Sequence, residues 1–162
     1  MDKIEKYIPA QKGKTHVLHI IRELLSFEPS STGTDIAQAL QYFSNAQKRH
    51  CTAFLISDFI GVEGLEKPLM IASNRHEVNA IQIYDRRETE LPNVGLVKFH
   101  DAETGQDLWV DTAVASVREQ YASEWKQNQS RIEQLCTKTG VKRMSVRTDE
   151  DYVKALMKLF KS

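Results

Sequence analysis

The chain has 162 residues, 41% of them apolar and 27% charged, which suits one soluble domain able to bury roughly two-thirds of its unfolded surface. Lysine plus arginine equals aspartate plus glutamate at 22 each, so no net field draws the chain to nucleic acid or anionic lipid. The opening MDKIEKYIPA lacks the apolar core of a secretory signal, and no apolar run approaches the ~20 residues of a membrane helix.

The first element predicted along the chain is a helix over KTHVLHIIRELLSF (14–27). Val17, Leu18, Ile20, Ile21, Leu24 and Leu25 recur at helical spacing and are expected to cover one broad buried face. Pro29 and Gly33 end it. TDIAQALQYFSNAQKR (34–49) predicts a second helix, with Asp35, or Thr34 before it, placed to accept the orphan N–H groups of its first turn. CTAFLIS (51–57) is a short continuous apolar run, as in a strand covered on both faces of a parallel sheet. A loop and a short helix follow, with Pro68 near the helix start, and VNAIQIYD (78–85) reads as a second buried strand. VGLVKFHD and QDLWVD flank AETG as a β-hairpin with glycine in its turn. A long helix then runs to Gly140, a typical carboxyl-terminal stop. KRMSVRT (142–148) is a third core strand, and TDEDYVKALMKLFKS closes as a helix with Thr148 and Asp151 spaced as a capping box.

Strands alternating with helices predict an α/β layer structure on a parallel sheet with right-handed crossovers. Nothing in the chain reads as a repeat or linker, so residues 1–162 are expected to form one domain. The first fifty residues are nearly all helical, although folds of this kind ordinarily begin with a strand.

Ligands of open α/β sheets bind beyond the carboxyl ends of the strands, where FLISDF places Asp58 and IYD places Asp85. The TGTD segment brings Thr34 and Asp35 towards that edge. A hydroxyl and a carboxylate converging there are hard oxygen donors suited to magnesium, although both patterns also serve as helix caps. GKT at 13–15 ends like a phosphate-binding loop, but the position that needs the first glycine is Ile8 and Pro9 sits inside the would-be loop. Cys51 and Cys136 lie far apart without metal spacing, which favours a reduced cytoplasmic setting and structural thiols. Cys51 is next to His50, yet strand neighbours point to opposite faces. The charged YDRRETELP reads as a solvated loop or a recognition surface.

Several segments agree in order and spacing with one family. YIPAQKGKTHVLHIIRELL, TGTDIAQAL, FLISDF, NRHEVNAIQIYDRRETELPNVGLVKFHDAETG and TDEDYVKALMKLF resemble the bacterial domain of unknown function family 58, whose core is similar to a von Willebrand factor A domain. The resemblance covers the chain from about Ile8 to its end. It implies a Rossmann-like parallel sheet with flanking helices and an inserted β-hairpin. It also implies a divalent-cation site at the sheet's top built by three loops. Thr34 of TGTD matches the hydroxyl ligand of the second loop, and Asp58 of LISDF the carboxylate of the third.

The DxSxS motif of the first loop does not occur in these residues. The resemblance therefore implies the C-terminal portion of a truncated domain of this type. No tight metal site and no bound cofactor are expected of this chain, whereas magnesium belongs to the full-length protein. Its implied role is a protein–protein interaction or adaptor module working with a MoxR-type AAA+ ATPase, since such ATPases are commonly encoded beside this family. The alternative is a magnesium-dependent phosphohydrolase using Asp58. Without the first strand, residues 51–57 would present a bare edge, which predicts a homodimer or swapped assembly there, or pairing by the amino-terminal KIEKYI.

Overall fold

The computed structural model describes residues 4–29, 33–100 and 105–159. Two helices come first, α1 (Lys14–Ser26) and α2 (Ile36–Ala46). Strand β1 (Thr52–Ser57), helix α3 (Glu66–Ser73) and strand β2 (Glu77–Tyr84) follow. A short α4 (Arg86–Thr89) leads to the hairpin β3 (Leu96–His100) and β4 (Asp107–Asp111). The long α5 (Ala115–Thr139), strand β5 (Lys142–Arg147) and α6 (Tyr152–Leu159) complete the order. The α/β architecture and the hairpin inserted after the second strand are as the sequence predicts. The hairpin turn falls within 101–104, outside the described residues, although Gly105 beside it has φ +70°.

The main sheet has the order β1-β2-β5, all parallel, while β3 and β4 pair antiparallel on their own. Its chain path explains where the core lies. Each crossover steps the same way across the sheet, and right-handed crossovers that step one way stack their helices on one face. Ala53 and Leu55 are in register with Val78 and Ala80, so these four share a face. Against that face pack Ile36 and Leu40 of α2, Leu69 and Ala72 of α3, and Ile132 and Cys136 of α5. Leu69, Ala72, Ala80 and Ile132 are wholly buried.

The opposite face carries Phe54 and Ile56 of β1 and Ile83 of β2, which are 42%, 59% and 41% exposed. This corrects the expectation that residues 51–57 are covered on both faces. The strand instead alternates between exposed and half-buried positions. It is an edge strand among the described residues, with β2 as its strand neighbour, and residues 4–13 form no strand beside it. Likewise β5 is the other edge rather than a central core strand.

Helix α1 forms where its periodicity predicts, but its apolar stripe is not buried. Leu24 and Leu25 are 74% and 84% exposed, and the helix has no buried residue. It is joined directly to no strand, whereas α2 leads straight into β1. An ion pair between Lys6 and Glu23 and an edge-on contact of Tyr7 with Tyr42 hold the amino-terminal segment to α1 and α2.

The helix ends follow local chemistry. Asp35, not Thr34, caps α2, accepting the Gln38 N–H at 2.8 Å. Gly140 ends α5 in the left-handed region at φ +68°, which lets the Val141 N–H reach the Cys136 carbonyl at 3.0 Å. At α6 the Asp151 carboxylate accepts the Val153 N–H at 3.0 Å, while Thr148 turns away to Asp85. The Thr148–Asp151 box is therefore not formed, because the Thr148 hydroxyl has a partner across the sheet.

Candidate functional site

The carboxyl ends of β1, β2 and β5 form the edge at which an open α/β sheet holds ligands. At the end of β1 the chain turns sharply. The Ser57 hydroxyl accepts the Phe59 N–H at 3.0 Å, and Asp58 Oδ1 accepts the Ile60 N–H at 3.2 Å. Phe59 lies between them at φ +57°, a conformation a bulky side chain rarely takes, and its ring is 1% exposed. Burial of that ring offsets the strained backbone. The result is that the Asp58 carboxylate stands at the surface on a rigid turn.

A buried polar network holds this turn from below. Gln82 of β2 is wholly buried, and its amide Nε2 donates to the Asp58 carbonyl at 3.2 Å. Gln82 Oε1 in turn accepts from Arg143 at 2.7 Å and from the Ser145 hydroxyl at 3.1 Å. Arg143 also donates to the Gln129 carbonyl on α5, at 3.3 Å. A buried amide satisfied at both ends is costly to disturb, so the position of Asp58 is set by β2, β5 and α5 together. The sequence reading missed Gln82, Arg143 and Ser145. A polar residue inside an apolar strand was the available signal.

Asp85 is differently employed. Its Oδ1 accepts the Arg87 N–H at 2.8 Å and its Oδ2 accepts the Thr148 hydroxyl at 3.1 Å. Its own N–H donates to Glu88 at 2.8 Å, completing a capping box for α4. These bonds, the Arg87 N–H first and Thr148 second, hold its carboxyl below the ordinary aspartate range. The charged YDRRETELP thus contains a capped helical turn rather than only a loop.

Thr34 precedes the α2 cap and is exposed. The Phe43 ring lies 4.8 Å from that of His76, just before β2 begins, so the carboxyl-terminal half of α2 sits at the amino ends of the strands. Thr34 stands at the other end of α2, before its cap. One hydroxyl and one carboxylate are too few donors to displace the hydration shell of Mg²⁺. Among the described residues no three His, Cys, Asp or Glu side chains form a metal-holding group. These residues do not by themselves fit a tight magnesium site.

At the opposite end of the sheet Cys51 Sγ lies 3.6 Å from His76 Nδ1. The partner of Cys51 is not its neighbour His50 but the residue that parallel pairing sets beside it, as the pair Thr52↔Glu77 shows. His76 is 4% exposed, and its Nε2 has no hydrogen-bond partner among the described residues. Cys136 is buried in the core, and burial raises its thiol pKa. Among the described residues no helix is long and apolar enough to cross a membrane.

Residues 1–131 match the family model described as Protein of unknown function DUF58. The chain is 29% identical over 159 residues to an uncharacterized protein of Mycobacterium avium, covering 96% of this chain and 92% of that one. It is 30% identical over 159 residues to uncharacterized proteins of Mycobacterium bovis and Mycobacterium tuberculosis, covering 96% of this chain and 49% of each of them. It thus spans about half the length of those longer relatives. No solved structure matches it significantly. The family match extends over most of the chain, and the chain belongs to the DUF58 family.

Proposed function

We propose that this chain is a protein–protein interaction module, von Willebrand A-like in kind, that serves as an adaptor for a MoxR-type AAA+ ATPase. The observation that carries this reading is the apolar surface on and beside β1. Ile56 is 59% exposed on a strand whose strand neighbour among the described residues is β2, and Ile83 extends the apolar surface onto β2. Unpaired strand edges and contiguous apolar patches recruit other chains. The reading includes self-association through residues 51–57. It also includes a magnesium ion held by Thr34 and Asp58 in the longer proteins, where further ligands come from outside this chain.

The direct experiment measures binding of a purified MoxR-type AAA+ ATPase, by interferometry, with and without magnesium. Saturable binding weakened at least about tenfold by Ile56→Lys supports the adaptor role. In a longer family protein, Asp58→Ala is expected to remove the magnesium-dependent part of that binding. No binding by either protein would overturn the reading, as would phosphate-ester turnover that Asp58→Ala abolishes.

A further inference from the structure

Cys51 and His76 meet just before β1 and β2 begin, at the end of the sheet away from Asp58. The Cys51 thiol is half-buried, and its sulfur lies 3.6 Å from His76 Nδ1. Parallel pairing holds the two residues together. The Glu77 N–H donates to the Cys51 carbonyl at 3.0 Å, and the Phe43 ring packs 4.8 Å from the imidazole. The second cysteine, Cys136, is only 4% exposed.

The unpartnered ring nitrogen assigns the proton. His76 Nε2 is buried without a hydrogen-bond partner among the described residues. A buried N–H left without an acceptor is rarer than a buried acceptor left without a donor. The proton therefore sits on Nδ1, and the imidazole donates it to the Cys51 sulfur. A donor on sulfur favours the thiolate, which is the form that attacks. Cys51 is thus not the inert thiol that its place in an apolar run suggests, because the donor comes from a residue 25 positions away.

Charge around the pair is one-sided. Lys48, Arg49 and His50 directly precede Cys51, and Arg75 directly precedes His76. All four are exposed, and Lys48, Arg49 and Arg75 pair with no acid among the described residues. The acid that adjoins them, Glu77, is taken up by the Thr52 hydroxyl at 3.2 Å and by Lys142 at 3.7 Å. Such a cluster draws anions towards the thiol.

We propose that Cys51 is a modification site that exchanges with anionic low-molecular-weight disulfides. The thiol gives its proton to water, and the thiolate attacks one sulfur of the disulfide. A new S–S bond to Cys51 forms as the old one breaks, and the released thiolate takes a proton from water. Cys51 is oxidised to the mixed disulfide while the released half of the reagent is reduced. The exchange uses neither Asp58 nor the unpaired β1 edge, so it stands apart from the adaptor reading.

The test follows thiolate release from dithiobis(nitrobenzoate), a dianionic aromatic disulfide, by the full chain carrying Cys136→Ser. Folded protein is expected to react at least about fivefold faster than the same protein in urea, although burial alone would slow it. His76→Phe keeps a ring against Phe43 and removes the donor. It should slow the reaction at least about fivefold, both with this reagent and with neutral dithiodipyridine. Lys48→Glu combined with Arg49→Glu, both on the surface, should slow the dianionic reagent alone, at least about threefold. A folded rate no higher than the rate in urea overturns the proposal. So does a wild-type rate in His76→Phe, or a charge-reversed protein that treats the two reagents as the wild type does.

Discussion

Asp58 and Asp85 each end an apolar strand, and the amino-acid pattern treats them alike. Their bonds separate them. Asp58 engages one backbone N–H of its own turn and stays at the surface, whereas Asp85 joins a capping box to the Thr148 hydroxyl on the chain leaving β5. The Asp85 carboxyl is held below its ordinary value in the folded state, so its charged form favours folding. That contribution is present above the unfolded value of about 4 and is lost as pH falls through the lower folded value. Asp85→Asn should therefore lower the urea midpoint at neutral pH, with the difference from wild type shrinking as the solution is acidified below that range. A difference that stays constant with pH would contradict this account. The capping residues themselves were legible, because an Asx side chain meets its partners within three residues. The choice of Asp35 over Thr34, and the diversion of Thr148, were not.

At the scale of elements, periodicity located the helices and strands but did not decide their burial. Helices α1 and α2 both carry apolar stripes, yet α2 buries Ile36 and Leu40 and α1 buries nothing. Helix α4 escaped notice because four residues are too few to show a period, although Asp85 and Glu88 already spell its capping box. Helix α3 illustrates the reverse case, a short segment whose Leu69 and Ala72 are wholly buried against the sheet. Leu69→Ala should cost about 3 kcal/mol of unfolding free energy by urea titration, the transfer term plus a cavity. Leu24→Ala on α1, as a matched control, should change it little, and equal losses at both positions would refute the one-sided core.

At the scale of the whole molecule, three helices share one sheet face and leave Phe54, Ile56 and Ile83 on the other. The exposed strand TAFLIS carries no charge, so two copies of it can approach without like-charge repulsion. An antiparallel pair centred on Leu55 sets Phe54 of one copy against Ile56 of the next, an aromatic–aliphatic cross-strand contact. Light scattering should then show association that grows with concentration and that Ile56→Lys abolishes. A monomer at all concentrations, with fast amide exchange along β1, would exclude self-pairing there.

The amino-acid sequence by itself determined the order and type of nearly all elements, the family, and the acids at the strand ends, because apolar period and cap chemistry act over a few residues. Tertiary structure alone decided that α2, α3 and α5 lie on one face of the sheet. It alone set Cys51 beside His76 and placed Gln82 beneath Asp58. Each of these depends on strand register and crossover direction, which join residues far apart in the chain and leave no local trace.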